Sequence, residues 1–102
     1  MIAVVHLIDN DLMGEFYFQR DQVTLARKYL QEGRYRRAGA PIVTQHVGED
    51  AAEEIFDLSN NPSRENERVE RYGSRARSVS VGDIVTVNGI DYLCASVGWK
   101  VL

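Results

Sequence analysis

The dipeptide Asn88-Gly89 limits the possible folds of this chain more than any other feature of its sequence. It separates two short apolar runs, DIVTV and IDYLC, and both of its residues tolerate the positive φ of a type I′ turn. Pairing across such a turn places Val85 opposite Tyr92. We therefore predict a C-terminal β-hairpin with a firm register, because a slip of one residue would expose its whole core face.

The two faces of this hairpin carry different side chains. One face is apolar and is expected to lie in the core; it consists of Val85, Val87, Ile90, Tyr92 and Cys94. The other face carries Ile84 and Leu93 together with polar residues, and we expect it to be half buried. Cys94 is the only cysteine, so an internal disulfide is excluded and a buried, unreactive thiol is the expected state.

Hydrophobic patterns predict further elements ahead of the hairpin. The run Ile2–Ile8 is rich in β-branched residues and apolar on both faces, which is typical of a central strand. Asp21 and Gly33 are the expected ends of a first helix, since a carboxylate caps free N–H groups and glycine terminates helices. A second strand is expected near Ala40–Gln45, and Pro41 places it at an edge because proline lacks an N–H group.

The middle of the chain contains a second amphipathic helix and a polar stretch. Residues Gly48–Ser59 have apolar side chains at helical spacing and acidic residues in the first turn, which the helix dipole favours. The polar stretch 63–77 is expected to be a long surface loop or a frayed helix. The segment EFYFQR, before the first helix, is expected to be a short strand or a loop that places aromatic rings on the core.

These elements predict an α+β protein. Two helices would pack on one face of a small, mainly antiparallel sheet, in the order β-α-β-α-β-β. A length of 102 residues is suitable for a single domain over 1–102. The apolar N-terminus is too short to span a membrane. Together with the lone cysteine it suggests a cytoplasmic protein without a membrane partner.

The sequence contains no pattern that identifies a catalytic residue. Asp83 is expected to cap a turn, and catalysis by its carboxylate or by a Ser-His pair is the weaker alternative. The two histidines and one cysteine lack the spacing of a zinc site, and no phosphate loop or dinucleotide fingerprint is present. We therefore expect no enzyme activity, no cofactor and no metal.

Charge is unevenly distributed along the chain. The formal net charge of −3 argues against strong generic nucleic-acid binding. Acidic residues that could mimic phosphate charge fall in the second predicted helix and include Glu49, Asp50, Glu53 and Glu54. Basic residues form a run that is either a solvated, salt-bridged surface or a contact for an acidic partner: Arg64, Arg68, Arg71, Arg75 and Arg77. Trp99 is expected to be a core residue or, alternatively, a binding anchor.

The C-terminal half resembles the YodL-like small domains of phages, plasmids and conjugative elements. The resemblance covers the residues from Phe56 onward: an N-x-P after a helix, then R-S-x-S-V-G-D-(I/V)-V, a hairpin and a terminal G-(W/F). The matching residues are Asn60 or Asn61 with Pro62, Arg77, Ser78, Ser80, Val81, Gly82, Asp83, Ile84, Val85, Gly98 and Trp99. The resemblance implies an accessory role in a mobile element inside a bacterial host and supplies no catalytic residues.

Two functions follow as hypotheses. The first is a non-enzymatic accessory protein that binds and modulates a host protein, for example as an anti-defence inhibitor, through the arginine run, Trp99 or the acidic residues. The second is nucleic-acid binding through the arginine-rich segment 64–77, helped by basic residues outside it. The residues expected to contact the nucleic acid are Arg34, Arg36, Arg37, Arg71 and Arg75.

Overall fold

The structure is a computed structural model that describes all residues, Met1–Leu102. Its strands are β1 Ile2–Ile8, β2 Tyr35–Val43, β3 Ile84–Val87, β4 Ile90–Cys94 and β5 Trp99–Val101. Its helices are α1 Met13–Phe16, α2 Gln22–Gln31, α3 Gly48–Asn60 and α4 Glu65–Arg71, with 3-10 turns at Asn10–Leu12 and Pro62–Arg64. The strands form one antiparallel sheet in the order β2-β1-β3-β4-β5, which confirms the α+β class.

The predicted hairpin is β3-β4. Asn88 and Gly89 have φ values of 51° and 81°, as a type I′ turn requires, and Val85 pairs with Tyr92. Cys94 is buried, and its burial raises the pKa of the thiol to about 12. The predicted hairpin, its register and the burial of Cys94 are therefore confirmed, whereas the prediction that Ile90 lies in the core is wrong, because this residue stands beside the turn and is 46% exposed.

The helices cover both faces of the sheet, so the prediction that both lie on one face is wrong. Side chains of α3 pack on one face against strand residues that include Val5 and Val85. Side chains of α1 and α2 pack on the other face against Ile8, Ile84 and Leu93. Ile84 and Leu93 are only 1% and 0% exposed, whereas half burial was expected. The physical reason is that both faces of the central strands are apolar, and each face requires its own cover.

Several boundaries also differ from those predicted. The segment EFYFQR contributes the end of α1 and a turn, where Phe16 is buried while Tyr17 and Phe18 are exposed. Strand β2 begins at Tyr35 rather than near Ala40, and it lies at the sheet edge as Pro41 indicated. The stretch 63–77 contains the short helix α4, which the sequence left open as a loop or frayed helix.

Gly82 offers a test of how tightly Phe16 packs against the turn before β3. Its φ is +99°, and a Cβ there would lie 2.7 Å from Cδ2 of Phe16. We predict that Gly82→Ala lowers the free energy of unfolding by about 2–4 kcal/mol, since overpacking adds to left-handed backbone strain. Urea unfolding measures this loss.

The matched control is Gly89→Ala. Gly89 also has a positive φ, +81°, but a Cβ there would meet nothing within 4 Å. This control is expected to lose only the strain contribution, about 1 kcal/mol. Equal losses for the two variants would contradict close packing of Phe16 on Gly82.

Candidate functional site

Asp83 is the polar centre of the C-terminal half. Its side chain is 0% exposed, and its carboxylate accepts hydrogen bonds from the backbone N–H groups of Ile8 at 2.9 Å and Ser80 at 2.7 Å. Arg77 donates to both oxygens, at 2.5 and 2.8 Å. Each oxygen thus accepts two hydrogen bonds, so the turn-capping role is confirmed and no lone pair is left to serve as a base.

Arg77 connects the loop before β3 to the end of β1. Besides Asp83, it donates to the carbonyl of Ile8 at 2.7 Å and to Oδ1 of Asn10 at 2.9 Å. The segment R-S-x-S-V-G-D is therefore a structural unit in this protein. It fixes the position of the loop that carries Arg75.

Three other members of the arginine run also bind within the chain. Arg64 pairs with Glu54, Asp57 and Glu67 at 2.7–2.8 Å. Arg68 donates to three backbone carbonyls, those of Ser59, Gly73 and Ala76. Arg71 pairs with Glu67 and donates to the carbonyl of Val43.

Of the two alternatives for the arginine run, the structure favours internal pairing for four of its five residues. Their guanidinium groups tie α4 and its neighbouring loops to the rest of the fold; these residues are Arg64, Arg68, Arg71 and Arg77. Arg75 is the exception. It is exposed and has no ion-pair or hydrogen-bond partner in the chain.

The predicted acidic contact surface is also partly used internally. Glu54 pairs with Arg64, and Glu53 accepts a 2.8 Å hydrogen bond from the indole N–H of Trp99. Trp99 is half-buried with its ring edge-on to Phe56, which supports the core alternative for this residue. Glu49 and Asp50 remain exposed on the first turn of α3 without an ion pair.

A groove of about 770 Å³ brings together basic residues from distant parts of the chain. It lies between the end of β1, the first half of β2 and the loop before β3. We call it the arginine groove. Its lining contains five arginines and two aspartates, which give it a formal charge of +3; they are Arg34, Arg36, Arg37, Arg75, Arg77, Asp9 and Asp11. The whole chain, by contrast, carries −3.

Gly39 allows this groove to form. Its φ is +62°, and a Cβ there would lie 2.9 Å from the carbonyl oxygen of Tyr72. The absence of a side chain thus lets the loop after α4 run close to β2. That approach brings Arg75 and Arg77 to the same groove as residues of β2.

The arginines of the groove differ in how free they are. Arg34 donates to Asp9 at 2.7 Å and pairs with Asp11 at 3.2 Å. Arg36 has an 86% exposed side chain and only a long 3.5 Å contact with Asp9. The guanidinium groups of Arg36 and Arg75 can therefore reorient toward a ligand.

Arg37 belongs to both the groove and the opposite side of the sheet. It pairs in register with His6, whereas Arg36 pairs with Leu7, so the side chains of Arg36 and Arg37 leave opposite faces of β2. Burial lowers the pKa of His6, and the nearby charge of Arg37 acts in the same direction. Arg37 thus extends the positive surface around the edge of the sheet.

The sequence and the structure agree only in part on the site. Four residues of the nucleic-acid hypothesis line the groove, namely Arg34, Arg36, Arg37 and Arg75, while Arg71 lies beside a smaller pocket near His46. Asp9 and Asp11 were missed as site residues. The signal for them was their position directly after β1, where the chain leaves the sheet.

Neither the comparison with known proteins nor the arrangement of possible metal ligands identifies a class of ligand for this protein. No protein-family model, curated protein or solved structure matches the chain. No group of three or more His, Cys, Asp or Glu residues is arranged to hold a metal ion. No helix is long and apolar enough to cross a bilayer. The resemblance to YodL-like domains stays a prediction.

Removal of the Asp83 carboxylate tests its structural role. We predict that Asp83→Ala lowers the free energy of unfolding by about 3–5 kcal/mol, because it leaves Arg77 and two backbone N–H groups without their partner. Arg75→Ala is the control and should change it by less than about 0.5 kcal/mol. An unchanged urea midpoint for Asp83→Ala would contradict this role.

The network around Arg64 predicts a specific acid sensitivity. Hydrogen bonds from Arg64 and then Arg71 lower the pKa of Glu67 from 4.5 to about 2. Because the folded-state pKa lies below the unfolded one, the stabilisation is complete above about pH 4.5 and is lost as the pH falls toward 2.

We expect Glu67→Gln to be less stable than the wild type at pH 6 and the difference to shrink progressively below about pH 4.5. Thermal unfolding over this pH range measures it. Glu65→Gln is the matched control, since Glu65 lies on the same helix without an ion-pair partner. A difference that does not vary with pH would argue against the ion pairs of Glu67.

Proposed function

We propose that this protein is a non-enzymatic binding protein whose arginine groove holds an acidic segment of a host protein. The observation that carries the proposal is that Arg36 and Arg75, which come from distant parts of the chain, line one groove without strong internal partners. Planar guanidinium groups bind carboxylates through paired hydrogen bonds. A groove with a local charge of +3 attracts an acidic segment before contact is made.

Charge supports a protein partner over a nucleic acid. The groove contains Asp9 and Asp11, which a phosphate backbone would have to pass at close range. The chain as a whole is negative, and the exposed Glu49 and Asp50 add to its acidic surface. A mixed-charge groove suits a partner segment that presents carboxylates at defined positions.

The resemblance to YodL-like domains supports the biological setting of the proposal. Its motif R-S-x-S-V-G-D contains the Arg77–Asp83 pair, which positions one wall of the groove. A motif that builds the wall of a binding site is consistent with a phage or mobile-element accessory protein that modulates a host protein. An anti-defence inhibitor is one such role.

Nucleic-acid binding is the second candidate. It is favoured by the gathering of Arg34, Arg36, Arg37 and Arg75 around one groove. Its affinity would fall steeply with salt, since each neutralised phosphate releases a counterion.

Paired charge reversals test the groove. Arg36→Glu/Arg75→Glu changes the groove, and Arg20→Glu/Arg27→Glu makes the same change in charge at exposed positions outside it. The probes are a fluorescein-labelled peptide of glutamate, threonine and valine and a labelled single-stranded oligonucleotide of equal length. We expect the groove variant to bind the peptide at least about tenfold more weakly, and the control variant to bind it as the wild type does.

Three results would change the conclusion. Binding of the oligonucleotide with a steep salt dependence, and none of the peptide, would replace the first function with the second. Equal loss of binding in both variants would mean that net charge rather than the groove decides binding. The proposal would be overturned by two results together. Neither probe binds at low salt, and the wild type and the control variant retain no host protein that the groove variant loses.

A further inference from the structure

Strand β2 leaves one edge of the sheet without a partner strand. It stands at the end of the strand order, so only one of its edges pairs with β1. The N–H of Asp9 donates to the carbonyl of Arg34 at 2.9 Å, and Leu7 is in register with Arg36. Antiparallel pairs alternate between hydrogen-bonded and open residues. The backbone groups of Arg34 and Arg36 therefore face β1, and those of Tyr35 and Arg37 face outward.

The far end of the same edge lies beyond a register shift between Ala3 and Val5, and its outward backbone is already used within the chain. The N–H of Thr44 donates to the carbonyl of Met1 at 2.9 Å, so the neighbouring Val43 faces outward. The Val43 carbonyl indeed accepts a 2.8 Å hydrogen bond from Arg71. Pro41 has no N–H to offer. The open part of the edge is thus Tyr35–Ala38, where no hydrogen bond within the chain uses the outward backbone groups of Tyr35 and Arg37.

The charges on this edge select the kind of strand that can pair with it. Arg36 projects from the groove face and Arg37 from the opposite face, and both are exposed. Edge-to-edge pairing with a second copy would bring the same arginines together, and like charges on neighbouring strands are destabilising. An extended acidic segment instead finds a cation on each face.

We propose that the acidic segment of the partner adds to the sheet as a further strand along Tyr35–Ala38. Its backbone exchanges hydrogen bonds with the outward groups of Tyr35 and Arg37. Carboxylates on two successive residues of the segment, which leave opposite faces of the sheet, meet Arg36 and Arg37. This inference rests on the proposed function and specifies how the partner binds. Main-chain pairing supplies affinity, and the arginines supply the preference for acidic sequences.

Amide exchange followed by residue-resolved NMR tests the pairing, with the acidic peptide of the preceding experiment as the probe. We expect saturating peptide to slow exchange of the Arg37 amide at least about tenfold. The Arg36 amide, which already faces β1, is the internal control and should change little. A second peptide has the same sequence but is N-methylated throughout its central amides. It should bind at least about tenfold more weakly, since it retains every carboxylate but lacks the donors.

The outcomes separate this inference from the proposed function. Peptide binding that depends on Arg36 and Arg75 but leaves Arg37 exchange unchanged would overturn strand addition and leave the groove as the site. Equal affinity of the methylated peptide would overturn it as well. Absence of any peptide binding would overturn strand addition, whereas the proposed function is overturned only if the comparison of retained host proteins fails as well. Slower exchange at Arg37 together with loss of affinity on methylation would support the added strand.

Discussion

The buried Asp83 carboxylate is the interaction on which the rest of the structure depends. It joins the turn before β3 and the adjoining loop that carries Arg77 to the end of β1, where Ile8 is 75 positions away from Asp83 in the sequence. A fully buried charge is tolerated only when hydrogen bonds replace its lost hydration, and here four donors do so. Without it, neither the wall of the arginine groove nor the start of β3 would have a defined position.

Internal ion pairs decide which charges remain for a partner. Arg64, Arg68 and Arg71 connect α4 and its loops to α3 and β2, in a part of the chain with few apolar side chains. Their charges therefore contribute to folding. Arg75 has no such partner and Arg36 has only a 3.5 Å contact with Asp9, which makes these two arginines the candidate contacts. Counting arginines along the chain would have ranked the two groups in the opposite order.

The sheet has an edge, rather than a face, that is open to a binding partner. Helices cover both faces over the central strands β1, β3 and β4, so the core there is closed. Strand β2 keeps an open edge next to the arginine groove, and Arg36 belongs to both. A partner segment could thus use backbone pairing and charge at the same place, which a flat surface of solvated arginines would not provide.

The sequence by itself determined the elements whose causes are local. The Asn88-Gly89 turn, strand β1, the cores of α2 and α3, the edge position of Pro41 and the burial of Cys94 follow from dihedral preferences and periodicity over a few residues. Tertiary structure alone decided which face each helix covers and which arginines stay free. The physical reason is that these outcomes depend on contacts such as Arg77 with Ile8, between residues far apart in the chain. A paired and an unpaired arginine are identical in sequence, and only the fold distinguishes them.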